Sequence, residues 1–244
     1  MKLFTSTLAL FGLAMTAAQP VVDNILVEAR HAPIGQFISH CSVPGTVALT
    51  FDDGPSIHTP GLIQMLSKRG VVATFFVNGY TAAWTPDWHA IVRRAYNDGH
   101  QIASHTFSHR DLSTLSWADM EWEMLENERQ IAAAVGVIPT YMRPPYLNCN
   151  DACLTLMRNL GYSVISTDLD SKDYENQRNI WNSAGLFDGD LNYGGNLALA
   201  HDIYGQTVQV LTPHMLDIVL RRGLKPVTVA QCLGDYKDWY RSPR

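Results

Sequence analysis

The stretch VALTFDDGP, residues 47–55, indicates a buried strand that ends in a sharp stop. Its apolar part, Val47 to Phe51, is typical of a strand in a parallel sheet with both faces covered. Asp52 and Asp53 follow at once, although adjacent like charges repel each other and a strand interior would not accept them. The carboxyl end of a strand in a parallel β/α fold does accept such residues. The stretch therefore predicts that kind of fold, with a positive group beside the two carboxylates.

The rest of the chain alternates between strand and helix patterns. The predicted strands are 47–51, 71–77, 101–104, 140–143, 163–167, 197–200 and 226–229, and the predicted helices are 59–68, 89–97, 117–135, 151–160 and 212–222. The polar stretch 175–195 shows no periodicity and is interpreted as a long loop over the mouth of the sheet. This alternation, without an internal repeat, predicts one α/β domain, and we expect a barrel of about seven parallel strands rather than an open sheet.

Composition narrows the class of protein. With 244 residues, of which 46% are hydrophobic and 17% charged, the chain can build one well-buried core. The formal net charge of −5 does not supply the basic surface that nucleic-acid binding needs. A mildly acidic surface suits a neutral or weakly cationic ligand better than an anionic polymer.

The first 18 residues have the features of a secretory signal peptide, namely Lys2, an apolar run and a cleavage site after Ala18. A buried amphipathic helix is the alternative. Removal of the segment leaves 17 basic and 23 acidic residues, a net charge of −6. No later segment approaches the length of a transmembrane helix. We expect a secreted, extracellular monomer without a membrane partner, with an irregular lead-in over 19–45 and one domain over 46–244.

The chain has four cysteines, Cys41, Cys149, Cys153 and Cys232. An even number in an oxidising compartment predicts two disulfides, for which three pairings exist. The short spacing of Cys149 and Cys153 favours a local bridge, so that Cys41 and Cys232 would join the two ends of the domain. Half of a zinc site is the alternative for Cys149 and Cys153, but no histidine lies near them in sequence.

The stretch HTFSH places His105 and His109 four residues apart, directly after the predicted strand 101–104. At this spacing two imidazoles share one face of a helical turn and can bind one cation. One carboxylate of the Asp52–Asp53 pair would complete a two-histidine, one-carboxylate set, which leaves positions open for substrate. The other carboxylate could act as a base toward water. Each motif alone is weak evidence, but together, at the ends of two strands, they predict a catalytic metal site.

Five motifs in order give the chain a resemblance to a known family. They are TFDDGP (50–55), HTFSH (105–109), RPPY (143–146), DSKDY (170–174) and LAH (199–201). In this order they resemble the motifs of the polysaccharide deacetylases, carbohydrate esterase family 4, also called the NodB-homology domain. The resemblance spans about 47–229 and is strongest to the secreted chitin deacetylases of fungi. It implies a distorted (β/α) barrel and removal of N-acetyl groups from β-1,4-linked N-acetylglucosamine, with chitin or chitooligosaccharide as the substrate partner.

The resemblance implies roles for the residues of the first three motifs. Asp52 would be the general base, and Arg143 would orient its carboxylate. Asp53, His105 and His109 would bind the metal, which in the family is usually Zn²⁺, although Co²⁺ or another divalent ion can serve.

The remaining motifs supply the acid and the pocket. The resemblance implies that His201 is the general acid, that Asp173 keeps it protonated, and that the backbone N–H of Tyr146 is an oxyanion donor. Tyr146, Tyr174 and Leu199 would wall the pocket. Tyr174 departs from the tryptophan usual at that position, which affects substrate preference rather than catalysis.

Three alternatives stay open at this point. The same site could remove O-acetyl groups from xylan or N-acetyl groups from peptidoglycan, and the chain could instead be a non-catalytic chitin-binding module. Retention of Asp52, which mere binding does not need, argues against the binding module. Trp84 and Trp88 could stack on a sugar ring or pack in the core.

Overall fold

The computed structural model describes residues 32–243. The predicted signal peptide, 1–18, and the first part of the lead-in, 19–31, lie outside these residues. Within the described range, no helix combines the length and the apolar character that crossing a membrane requires.

Parallel strands form one curled sheet at the centre of the molecule. In chain order the strands are β1 (Phe37–Ile38), β2 (Thr46–Asp52), β3 (Thr74–Val77), β4 (Gln101–Ser104), β5 (Ile138–Pro139), β6 (Tyr141–Met142), β7 (Ser163–Ile165), β8 (Leu169–Asp170), β9 (Leu197–His201), β10 (Lys225–Val227) and β11 (Tyr240–Arg241). The sheet order is β1-β7-β6-β4-β3-β2-β9-β8, and β10 also pairs with β2. β5 and β11 form a separate antiparallel pair.

The predicted α/β fold with a distorted barrel is confirmed. The seven predicted strands correspond to β2, β3, β4, β6, β7, β9 and β10. The sheet gains β1 and β8, each only two residues long, which are too short to produce a periodic pattern in the sequence. The second predicted strand is shorter than expected and begins at Thr74. The last one ends at Val227, because Thr228 caps a short helix through a capping box with Gln231.

The helices cover the outer face of the sheet. They are α1 (Thr59–Lys68), α2 (Trp88–Asn97), α3 (Trp117–Val135), α4 (Asp151–Leu160), α5 (Trp181–Asn192), α6 (Thr212–Arg221) and α7 (Val229–Cys232). The prediction of a loop over 175–195 was wrong, because α5 lies within it. Gly185 and Gly189 lower the helix propensity of this segment, and only Phe187 and Leu191 of its large apolar side chains are buried. Its apolar stripe is therefore too narrow to give a clear helical period.

Alternation along β2 explains how a charged residue reaches the interior. Val47, Leu49 and Phe51 belong to the core between the sheet and its helices. The intervening residues point the other way, so that Thr50 and Asp52 face the inside of the curled sheet. Since the neighbouring strands are parallel, their carboxyl ends meet the end of β2 at one edge.

Both predicted disulfide pairings are present in the structure. Cys41 is bonded to Cys232 and Cys149 to Cys153. The first bond spans 191 residues and joins the segment before β2 to α7. Closing a loop of that length is worth roughly 5 kcal/mol of stability in the chain-entropy model. The second bond joins Cys149, just before α4, to Cys153 in the first turn of that helix, shortly after the RPPY motif.

Candidate active site

The two adjacent aspartates point into different surroundings. Asp53 has a left-handed backbone, with φ of 70°, which turns its side chain away from that of Asp52. The Oδ1 atom of Asp52 accepts a hydrogen bond of 2.8 Å from Arg143, whose side chain is fully buried. Arg143 also donates to Thr50 Oγ1 and to the Ser166 carbonyl, and its guanidinium lies 4.3 Å from the ring centre of Phe76. The buried guanidinium thus compensates the charge of Asp52.

Asp53 faces the two histidines of the HTFSH motif. Its Oδ1 atom lies 3.4 Å from His105 Nε2 and 3.2 Å from His109 Nε2. Among the residues described, these three form the one group of histidine, cysteine and acidic side chains whose ligand atoms all lie within 4.8 Å of one another. The predicted ligand set is therefore brought together in space.

The hydrogen bonds and charges around this group fit a divalent cation. His105 Nδ1 donates to the Arg143 carbonyl at 2.7 Å, so Nε2 is the ring nitrogen that faces Asp53. Burial alone would raise the pKa of Asp53, but the nearby histidines bring it to about 2. Burial, with His105 beside it, lowers the pKa of His109. The buried Asp53 Oδ1 atom has no hydrogen-bond donor of its own. An ionised carboxylate and two imidazole nitrogens that face one point are ligand types that a divalent metal accepts.

The spacing of His105 and His109 predicted that they share a helical turn, and this prediction was wrong. Residues 105–109 form an irregular loop after β4. Thr106 and His109 have left-handed backbones, with φ of 65° and 59°, which a right-handed helix excludes. The two imidazoles instead meet because the loop folds back, and their ring centres lie 4.9 Å apart. Left-handed residues other than glycine persist only where the surroundings enforce them.

His201 and Asp173 form a histidine–aspartate pair near Asp53. His201, the last residue of β9, donates from its backbone N–H to Asp173 Oδ2 at 2.8 Å, and its Nδ1 atom lies 2.7 Å from Asp173 Oδ1. Asp173 is fully buried and also accepts a hydrogen bond from Thr207. Burial lowers the pKa of His201, but the Asp173 carboxylate outweighs this and the pKa rises to about 9. The free Nε2 atom lies 4.0 Å from Asp53 Oδ2.

These groups surround one open cavity of about 380 Å³. Tyr146, Tyr174 and Leu199 form part of its wall. The Tyr146 ring lies edge-on to His109, and the Tyr174 ring lies edge-on to His201. The Tyr174 hydroxyl donates to Asp170 at 3.2 Å. All the predicted catalytic, ligand and pocket side chains therefore line or adjoin a single cavity.

The two candidate tryptophans have different surroundings. Trp88 is buried, and its indole N–H donates to Thr81 Oγ1 and the Asn78 carbonyl, so it is a core residue. Trp84 is 62% exposed, packs edge-on against Tyr80 and lies in a neighbouring cavity that Asp53 also lines. Of these two tryptophans, Trp84 is the one accessible to a sugar ring.

Several residues that support the site were missed from the sequence. They are Asn78, Glu123 and Asn127, which hold the histidine loop or the strands beside it, and Asp202, which follows His201. All four are buried polar side chains, and burial raises the pKa of Asp202 to about 7. The sequence signal is that polar residues, Glu123, Asn127 and Glu128, recur at helical spacing on the face of α3 that also carries Met120, Met124 and Ile131.

The fold is that of a parallel α/β enzyme, and its cavity brings Asp52 and His201 beside a group of side chains that could hold a metal ion. The model of the family named Polysaccharide deacetylase matches residues 40–165. The chain is 42% identical to a chitin deacetylase of Colletotrichum lindemuthianum, over 96% of this chain and 98% of the relative. It is 41% identical to a chitin deacetylase of Pestalotiopsis sp, over 94% of this chain and 78% of the relative.

A solved structure agrees with the sequence relatives. The chitin deacetylase structure from Colletotrichum lindemuthianum superposes with a TM-score of 0.83 and 40% identity, covering 87% of this chain and 98% of that one. The chain belongs to the polysaccharide deacetylase family. It is accordingly a hydrolase that acts on the carbon–nitrogen bond of N-acetyl groups.

Proposed function

We propose that this protein removes N-acetyl groups from β-1,4-linked N-acetylglucosamine in chitin or chitooligosaccharides, giving glucosamine units and acetate. The observation that carries this proposal is the single cavity in which Asp52 and His201 flank the ligand set Asp53, His105 and His109. The two chitin deacetylases named above, similar over most of their length, support chitin as the substrate class.

Asp53, His105 and His109 would hold the cation, and zinc is the first choice because imidazole and carboxylate both suit it. A divalent ion at this place supplies Lewis acidity, which polarises an acetamide carbonyl and lowers the pKa of water. The chain's own contribution is to keep the three ligand atoms facing one point.

Asp52 is the proposed general base. Arg143 holds its Oδ1 atom, so the second oxygen remains free to take a proton from water. That oxygen, Oδ2, lies 3.9 Å from His105 Nε2, beside the proposed metal ligands. The fixed guanidinium restricts rotation of the carboxylate and keeps the free oxygen aimed at the cavity.

His201 is the proposed general acid. Its Nδ1–H donates to Asp173, which leaves Nε2–H to deliver a proton to the departing amine nitrogen. The base and the acid come from β2 and β9, where Asp52 and His201 are register partners. The two groups therefore flank the reacting carbon from adjacent strands.

Tyr146 and the pocket wall complete the proposal. The left-handed backbone of Tyr146, with φ of 59°, re-aims its peptide group, and we assign its N–H as an oxyanion donor. Tyr174 and Leu199 would enclose the acetyl methyl. The hydroxyl of Tyr174 is engaged by Asp170, so that side chain presents its ring rather than a free polar group.

Acetate release from chitooligosaccharides tests the function. Dialysis against a chelator should abolish release, and added zinc should restore it, because the three ligand atoms alone cannot polarise the substrate carbonyl. A panel of chitopentaose, acetylated xylan and peptidoglycan fragments measures substrate preference. If acetate is released only from xylan or only from peptidoglycan, that polymer and not chitin is the substrate. The panel matters because a relative from Arthroderma benhamiae, 46% identical, is named a probable peptidoglycan-N-acetylglucosamine deacetylase.

Absence of release from every substrate, with normal oligomer binding, would favour the non-catalytic chitin-binding module.

The two disulfides support our proposal that the protein is secreted, since such bonds persist in oxidising compartments. We propose that it acts as a monomer, because the cavity is complete within one chain.

Replacement of Asp173 by asparagine should move the alkaline limb of the pH profile of kcat/KM to lower pH by at least about one unit. His201 must be protonated to act as an acid, and the Asp173 carboxylate raises its pKa, so activity is lost as the pH rises through that pKa. Removal of the negative charge lowers the pKa and brings the loss to lower pH. An alkaline limb that stays in place would contradict the role of Asp173.

A further inference from the structure

The histidine loop, residues 105–109, is held by groups outside it. Its first residue donates from the backbone to Val77 O, and the carbonyls of His105 and Thr106 accept from the Asn78 amide. The carbonyl of Phe107 accepts from the backbone N–H of Tyr80 at 3.0 Å. The loop has one internal hydrogen bond, from His109 N to Thr106 Oγ1 at 3.2 Å, and its other hydrogen bonds named here come from neighbouring elements.

Among the hydrogen bonds that reach the loop from outside it, those of Glu123 on α3 lie nearest to His109 in the sequence. Its Oε2 atom accepts a hydrogen bond of 2.7 Å from Ser108 N, and its Oε1 atom accepts one from Ser108 Oγ. Its own backbone carbonyl accepts from Phe107 N at 3.0 Å. Two consecutive peptide groups that precede His109 are therefore fixed to this single residue.

Burial of the Glu123 carboxylate costs desolvation free energy. Glu123 is fully buried, and a buried carboxylate needs compensating donors to offset its desolvation. Both donors to the Glu123 carboxylate come from Ser108. The next residue, His109, has a left-handed backbone. A side chain that is buried at such cost and bonded on both oxygens enforces the conformation of what it holds.

We propose that Glu123 is a positioning residue for the metal site: through Ser108 it fixes the His109 imidazole and so sets the affinity for the divalent cation. This inference rests on the proposed function, which assigns His109 as a ligand. Glu123 lies outside the five motifs and does not face the cavity. Groups that orient metal ligands commonly change the metal affinity 10- to 100-fold when they are replaced.

The zinc dissociation constant of the metal-free protein, measured by competition with a chromophoric chelator, tests the proposal. Glu123→Gln should weaken zinc binding about tenfold or more, because the amide offers one acceptor in place of two. Glu121→Gln is the matched control, since it removes the same charge from the same helix at a partly exposed position. This control should bind zinc as the wild type does.

Two further measurements separate positioning from general stability. The melting temperature of each metal-free variant reports folding, and a purely structural role would lower it without weakening zinc binding. At saturating zinc, Glu123→Gln should recover most of its deacetylase activity, because Glu123 does not touch the substrate cavity. Unchanged zinc affinity in a folded Glu123→Gln would overturn the proposal.

Ser108→Ala provides the second variant, in case Glu123→Gln does not fold. It removes only the hydroxyl contact and should weaken zinc binding several-fold. In the double variant, the serine change should add nothing to the effect of Glu123→Gln, since the hydroxyl acts through Glu123. Unchanged zinc affinity in Ser108→Ala, with Glu123→Gln unfolded, would also overturn the proposal. Failure of the wild type to bind zinc would instead reject the proposed function itself.

Discussion

Asp52→Asn is expected to lower acetate release from chitopentaose about a thousandfold while leaving the bound metal unchanged. General-base catalysis contributes roughly 10²- to 10⁴-fold, and an amide cannot take a proton from water near neutral pH. The substitution preserves shape, and the asparagine carbonyl can still accept the hydrogen bond that Arg143 gives to Asp52. Acetate release and the metal-to-protein ratio, measured on the same preparation, check both parts.

Asp53→Asn is the matched comparison for this result. It makes the same chemical change one residue away, but at the carboxylate that faces both histidines. We expect this variant to lose metal and activity together. Metal loss from Asp52→Asn, with retention in Asp53→Asn, would show that the roles of the two aspartates are exchanged.

His109→Ala and His105→Ala should each lose metal and activity together. Removal of one of three protein ligands leaves two, and the loss of affinity should exceed the roughly 10- to 100-fold that replacement of a supporting residue costs. Elemental analysis after dialysis in metal-free buffer, together with acetate release, measures both losses. The expected activity is at the background of the chelator-treated wild type.

His214→Ala is the control for the histidine variants. His214 on α6 also bonds a carboxylate, Asp188, at 2.9 Å, but it is remote from the cavity. This variant should keep wild-type metal and activity. Retention of a full equivalent of metal by His105→Ala or His109→Ala would contradict the assignment of that residue as a ligand.

Much of the site could be predicted because its residues follow strand ends. Parallel strands bring their carboxyl ends to one edge, so Asp52, His105, Arg143 and His201 had to lie near one another once their strands were recognised. Periodicity and turn residues identify such strands without knowledge of their neighbours in the sheet. The even number of cysteines and the short spacing of one pair likewise limited the pairings.

What the sequence did not reveal depends on tertiary contacts. The irregular shape of residues 105–109 follows from bonds to Asn78 and Glu123, which are distant in sequence and belong to no motif. The spacing of two histidines alone is compatible with a helix as well as with a folded-back loop. In the same way, α5 owes its stability to packing of Phe187 and Leu191 rather than to local propensity, which its glycines reduce.

The position of β2 in the sheet also governs the order in which the strands can pair as the protein folds. β2 pairs with β9, made about 150 residues later in the chain, along one edge. Along its other edge it pairs with β10 at its start and with β3 at its end. Pairings between such distant segments form slowly, because the intervening chain must be ordered first. During synthesis, one edge of β2, the strand that bears Asp52, therefore stays unpaired until β9 has left the ribosome. His201 is the last residue of β9, so the strand that covers the exposed edge also brings the second half of the proposed acid–base pair.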